Sequence, residues 1–526
     1  MRTPIGLSAV LIFVAVLRLP GLIWPVISDD EAIYDAMAHV INSGGVIYRD
    51  TVDHKPPGLA FIYSLLERPF AGMGLVAGDW AGIFAVHLFG IFLAVLTAYG
   101  LYLLAREIFE SRPEFWLLPP LLYGVVTTAK CAYDGLAVNG ELLMNAPTVF
   151  AILAVVWAAK KKGVQRFAFD LSAGFLMGLA GLAKWQALVA GLAFPLMGLS
   201  NFKTNFKSNL KEFFERVLFR GPAWILGLLL PFAGAFLFFR AHGALADAER
   251  WGLYNLRYIA EGPGLLWGFK RFAIQFGSVI VPSIVFYGCA LVGLAHVVRG
   301  YLVSRMARET KTENLGLVVW ALVSCWAVGL GSRFFGHYFL QAELPLCLVA
   351  AEPLDRLWTR APKSTIGLIG VPALAFFLFG MVPSLTREIF DSGVPDWTQI
   401  GQEVAEQTGP GESLFVWGNA APIYFSSHRR TGTRFSFCNL LTGLSPGTPS
   451  EYDPQAEAAT VRESWPLLMT DFEVKRPVWI LDTASAGWKG YGKFPIARYP
   501  EFAAYLGSYY RAKGAIQGAV LYRRID

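Results

Sequence analysis

The run SDDEAIYDAMAHVINSGGVIYRDTVDHKPPG, residues 28–58, carries six acidic and two basic side chains in a chain whose charged fraction is only 16%. Asp29, Asp30 and Glu31 stand together at its start. One or two acids there would serve as a helix cap and complement the macrodipole. Three in a row, at a membrane surface, point to chemistry as well, and a carboxylate so placed is suited to proton abstraction. Further along, DHKPPG (residues 53–58) sets Lys55 before two prolines, which impose an extended path and keep the lysine off helical geometry. Lys55 is then either a rigidly held cation or a snorkelling side chain on a simple turn.

A second group of basic and aromatic residues lies far away in sequence. GSRFFGHYFLQAELP, residues 331–345, places Arg333, His337, Tyr338 and Gln341 where one apolar run turns into the next. Arginine offers a planar fork for phosphate oxygens and lysine a point charge, so Lys55, Arg333 and His337 on one membrane face would make a phosphate site. Lys184, in GLAKWQ, falls on the same side in the topology below. In NGELLMN (residues 139–145), Asn139, Glu141 and Asn145 either face a cavity or cap an emerging helix. Trp251, Tyr254 and Tyr258 fit an aromatic membrane belt or a stacking surface for sugar or lipid. No cofactor follows from these residues. A divalent metal is left open, with Asp30, Asp53, His54, Glu141 and His337 as candidate ligands, although no tight ligand spacing supports one.

The elements that must position these residues are mostly apolar helices. Hydrophobic residues make up 55% of the 526, and eleven stretches read as spans: 4–24, 79–104, 115–132, 141–159, 167–183, 185–199, 218–239, 272–298, 314–331, 337–351 and 364–384. The first lacks a convincing cleavage site, so it is expected to be retained. KKKGVQR, NFKTNFKSNLKEFFER, VRGYLVSRMARETK and DRLWTRAPK form one strongly basic set of loops, which marks the cytoplasmic side. The N-terminus is then inside and the C-terminus outside. The net charge of +6 sits at the ends of apolar runs and is no nucleic-acid footprint. Five cysteines without a CxxC pair argue against a zinc or disulfide framework.

That topology makes residues 25–78 an outer loop. From Asp30 to Asn42 the loop has amphipathic helical spacing, with Ile33, Met37, Val40 and Ile41 on one face, and NSGG stops it. A second such helix is expected over 59–70. Beyond residue 385, ESLFVWG, RPVWILDTA and GAVLYRR read as strands, while WTQIGQEVAEQT and EFAAYLGSYYRA read as helices. The fold class expected is a polytopic α-helical membrane domain, 1–384, followed by a periplasmic α/β domain, 385–526.

DDEAIYDAMAHVINSG…YRDTVDHKPPG resembles the first outer loop of the GT-C superfamily of membrane glycosyltransferases. It is most similar to the branch holding protein O-mannosyltransferases, the lipid A aminoarabinose transferase and the rhizobial lipid A galacturonosyltransferases. RFFGHYFLQAELP resembles their later basic-Tyr-Pro segment. The resemblance implies a helical fold with its cavity at the outer membrane face and a sugar donor carried on a polyprenyl phosphate. It implies Asp30 as catalytic base with Glu31 beside it, and Lys55 at the donor phosphate, a role extended to Arg333, His337, Tyr338 and Lys184. Asp53, His54, Glu141 and Asn139 are left as substrate or metal contacts. The aminoarabinose transferase has an acid directly before KPP, whereas this chain has His54. The acceptor is a glycolipid, glycan or protein hydroxyl, the bilayer is a partner, no nucleic acid is expected, and the location implied is a bacterial inner membrane. Two other readings stand beside this one. A polymerase or ligase would use a diphosphate-linked donor, and a transporter would need ionisable groups deep within its spans.

Overall fold

The computed structural model describes residues 3–71, 80–110, 112–197, 206–260, 264–307, 313–382, 395–443 and 460–526. The end of the expected outer loop (72–78), parts of two basic loops (201–205 and 308–311) and the expected domain junction at 384–385 lie outside the described residues. Two compact units emerge. One comprises Met1–Trp24, His87–Phe238 and Gly264–Thr386, and the other Pro25–Val86, Phe239–Pro263 and Arg387–Asp526.

Eight described helices are long and apolar enough to cross a membrane, and they define a multi-pass chain: Ile5–Leu22, Ala81–Ile108, Ala132–Ala159, Gly163–Ala183, Phe213–Ala241, Leu266–Arg299, Leu315–Ser332 and Pro362–Gly380. The other three expected spans take different forms. Around 115–132 the helix covers only Leu118–Thr128, starting at Pro119–Pro120 and ending where Ala129 leaves helical geometry. The run from 185 starts as 3-10 turns, Trp185–Ala193, because Lys184 adopts an extended backbone (φ −159°, ψ 129°). Phe339–Arg360 is long enough but carries Glu343 and Glu352 among its 22 residues, together with Pro345 and Pro353. The count of eleven is therefore not established.

Close glycine contacts set the helix that ends at Lys184. A Cβ on Gly174 would stand 2.0 Å from the Trp224 carbonyl oxygen, and one on Gly227 would stand 2.1 Å from that of Leu171. Only residues without side chains let Gly163–Ala183 and Phe206–Ala241 cross so tightly. Asp170 accepts hydrogen bonds from Arg220 (Nη2, 2.6 Å) and Trp224 (Nε1, 2.8 Å) across the same crossing.

In the other unit, β1 (Ser413–Trp417), β2 (Arg430–Thr431), β3 (Trp479–Asp482), β4 (Tyr510–Ile516) and β5 (Ala519–Arg524) form one sheet in the order β2-β1-β3-β5-β4. β1 runs parallel to β2 and β3, while β5 is antiparallel to β3 and β4. The helix expected over EFAAYLGSYYRA stops at Tyr509, and the chain turns directly into β4. Gln517 and Gly518, both with positive φ (47° and 91°), close the β4–β5 hairpin in the mirror-type turn that matches strand twist. The short apolar strands β1 and β3 lie where the sequence placed them, with all of β3 buried.

Candidate functional site

Within the unit that holds Pro25–Val86, the helix Asp29–Asn42 starts at a built cap. Ser28 Oγ accepts from the Glu31 amide at 3.3 Å, and Glu31 Oε2 accepts from the Ile27 amide at 2.7 Å. SDDE is thus a capping box in function, with the buried Glu31 carboxylate spent on satisfying the helix start. Asp30 Oδ2 lies 2.9 Å from Lys55 Nζ, and both side chains keep partial exposure. Asp29 pairs with Lys489, a residue of the C-terminal segment whose ammonium also sits 5.2 Å from the centre of the Trp397 ring.

Lys55 is gripped from several directions. Its ammonium donates to the Tyr34 hydroxyl at 2.5 Å and lies over the same ring, and its carbonyl accepts from the Tyr48 hydroxyl at 2.7 Å. Tyr48 reaches that carbonyl from a left-handed backbone (φ 73°), an unusual state for a bulky residue. Burial pulls the Lys55 pKa down, but Asp30, Tyr34 and Asp53 outweigh it and hold the pKa well above the ordinary lysine value. Lys55 therefore stays cationic. Burial and then Asp30 push the Tyr34 phenol well up, so that it stays neutral.

Asp53 and His54 form the next layer. Asp53 Oδ1 accepts from the His54 amide at 2.6 Å and stands 3.1 Å from its Nδ1. Burial would raise the Asp53 carboxyl, but Lys55 and His54 together bring it down to about 2. The His54 ring lies 4.4 Å from that of Tyr258, and its carbonyl accepts from Asn255 Nδ2 at 3.1 Å. Of the expected aromatic belt, Trp251 is wholly buried in protein, while Tyr254 and Tyr258 pack on His54.

The helical unit brings together a second set. Lys184, at the end of Gly163–Ala183, is ion-paired with Glu141, and its ammonium lies 4.2 Å from the Tyr338 ring centre. His337 Nδ1 stands 3.0 Å from Asp134 Oδ1, which also accepts from the His337 amide at 2.9 Å. Gly336 makes this possible, because a Cβ there would meet Asp134 Oδ2 at 2.3 Å. Arg333 is buried and donates from Nη1 to the Gly331 carbonyl at 3.4 Å. Its surroundings are irregular, with Ser332 (φ 55°) and Phe334 (φ 47°) both left-handed. Asn139 caps Gly140–Ala159 from its backbone, and its Nδ2 donates to the Tyr133 carbonyl at 3.3 Å.

Several polar residues were not anticipated from sequence. Lys489, Asp134 and Tyr34 carried no local signal, because their partners are distant or their type is common. The same holds for Lys130, whose ammonium pairs with Glu343 while Tyr287 donates to the same carboxylate at 2.7 Å.

No protein-family model matches the chain. Among curated proteins it is similar to dolichyl-phosphate-mannose–protein mannosyltransferase 1 of Saccharomyces cerevisiae, 24% identical over 264 residues, which cover 46% of this chain and 30% of that one. The match thus spans less than a third of the relative's length. Among solved structures, ArnT from Cupriavidus metallidurans bound to undecaprenyl phosphate superposes with a TM-score of 0.57 at 11% identity, covering 99% of this chain and 97% of that one. The archaeal oligosaccharyltransferase AglB from Archaeoglobus fulgidus, in complex with an inhibitory peptide and a dolichol-phosphate, gives a TM-score of 0.50 at 13% identity, covering 99% and 74%. At these identities the likeness is one of fold, and the chain has the fold that the ArnT and AglB structures share.

Proposed function

We propose that this chain is a membrane glycosyltransferase of the GT-C superfamily that moves a sugar from a polyprenyl-phosphate donor to an acceptor hydroxyl on the non-cytoplasmic face. The Asp30–Lys55 pair carries the reading: a carboxylate and a permanently charged ammonium 2.9 Å apart, both partly exposed at a capped helix start. In the reaction, the acceptor oxygen forms a bond to the anomeric carbon as its proton passes to Asp30 Oδ2. The bond from that carbon to the phosphate oxygen breaks from the opposite side, which inverts the centre. The polyprenyl phosphate leaves with its electron pair, and Lys55 meets the charge that grows on it. Glu31 holds the helix start and so positions Asp30. Support for the donor class comes from the lipid phosphates carried by the ArnT and AglB structures.

Asp30→Asn keeps size and removes the base. With a panel of sugar polyprenyl phosphates and membrane glycolipids, turnover is expected to fall about 10²–10⁴-fold while the unfolding midpoint stays in place. Near-normal donor consumption by this variant would remove Asp30 from the role.

A further inference from the structure

The two helices of the first outer loop, Asp29–Asn42 and Gly58–Ala71, face each other through more than apolar contact. Ser64 Oγ donates to Asn42 Oδ1 at 2.8 Å, and Asn42 Nδ2 donates to the Ser64 carbonyl at 3.2 Å. Away from this clamp, Asp35 and His39 lie one turn apart on the first helix, with Asp35 Oδ1 3.6 Å from His39 Nε2. Glu67, from the second helix, completes a trio whose ligand atoms all fall within 4.8 Å of one another.

Glu67 is the telling member. It is only 4% exposed, and neither carboxylate oxygen has a hydrogen-bond partner among the described residues. Gly82 packs against it so closely that a Cβ there would lie 3.0 Å from Glu67 Cγ. Two buried carboxylates at this separation repel unless a cation or a shared proton lies between them. The imidazole decides between those two. It adds a nitrogen ligand on the same side, giving an O₂N set that zinc accepts at bond lengths of about 2.0–2.2 Å. Such bonds correspond to ligand separations of about 3.3–3.6 Å in a tetrahedral shell, and the Asp35–His39 distance already falls there.

We infer that Asp35, His39 and Glu67 form a divalent transition-metal site, zinc by preference, which ties the two loop helices together. The two carboxylates balance the ion's charge, neutral His39 contributes its Nε2, and solvent fills the fourth position. Magnesium and calcium are disfavoured by the imidazole ligand. The site is independent of the proposed transfer reaction: Asp30 lies in the first turn of one helix that the ion would join, Lys55 lies just before the other, and neither ligates it.

The test uses the full chain, purified in detergent, stripped with chelator and dialysed against buffered zinc. Metal content is read by plasma mass spectrometry and stability by thermal unfolding. Wild type is expected to retain about one more equivalent of zinc than Glu67→Gln or His39→Ala, and zinc is expected to raise the unfolding midpoint of wild type alone. Cobalt reloading should give visible d–d absorption that His39→Ala loses. If Glu67→Gln does not fold, His39→Ala, at a partly exposed position, decides. Equal zinc content in wild type and His39→Ala overturns the site, as does a wild type that holds none, which would leave a proton shared between the two acids. Zinc lost in Asp30→Asn but kept in His39→Ala would place the ion elsewhere and overturn it equally.

Discussion

Two lysine–carboxylate pairs, one in each unit, differ in a way that separates working chemistry from scaffolding. Lys130 and Glu343 have side chains at 0% exposure, and their contact is sealed in the helical unit. Lys55 and Asp30 remain 25% and 34% exposed. A sealed pair cannot exchange partners, because separating it leaves a bare charge in a low-dielectric interior. A partly exposed pair can release its ammonium to an incoming phosphate and its carboxylate to a hydroxyl proton at lower cost than a sealed one. Composition is the same in both places, and access assigns the role.

This contrast can be broken experimentally. Lys55→Met should lower turnover about 10²–10³-fold and cost at most about 2 kcal/mol, the share of the Asp53 stabilisation that the ammonium supplies, since the partly exposed contact with Asp30 itself adds little. Glu343→Gln should do the reverse. It strands Lys130 and is expected to cost about 3–5 kcal/mol in denaturant unfolding, with turnover per folded molecule retained. Comparable stability losses in the two variants would dissolve the distinction.

Smaller effects sharpen it. The folded Asp53 carboxyl sits at about 2, below its ordinary value of 3.8. A depressed carboxyl stabilises the fold above its unfolded pKa, and that contribution is lost as pH falls through the folded one. Roughly 2 kcal/mol should therefore disappear between about pH 4 and 2. Asp53→Asn should flatten that part of the unfolding profile, and an unchanged slope would refute the coupling to Lys55. Ser28→Ala, which removes the cap hydroxyl, is expected to cost about 1 kcal/mol. A matching small fall in turnover would show that the cap positions Asp30, whereas unchanged turnover would limit Ser28 to stability.

How much of this was legible in the sequence depends on range. The amphipathic helix after Ser28 and strands β1 and β3 follow from local patterns and appear in the structure, although the helix is capped by the Ser28 hydroxyl and not by an acid, and Lys55–Pro57 bends and turns into the next helix. Eight apolar runs likewise become long helices. Local polar placement was read less well. Hydrophobicity alone suggested a span after Lys184, but the extended backbone at that residue broke the run. Partner choice was invisible: Asp134 and His337 are 203 positions apart, and Lys130 and Glu343 are 213 apart. No periodicity encodes such pairings, because they are selected by packing of whole helices.

The tie between Asp29 and Lys489 spans 460 positions. A ribosome moving at about 5–20 residues per second delivers the second partner on the order of half a minute to a minute and a half after the first. Throughout that interval the acidic segment waits without the Lys489 partner of Asp29, so completion of this contact is timed by the arrival of residue 489. Nonsense alleles that remove only the last forty or so codons are then expected to leave the segment incompletely assembled, although every span has already been made.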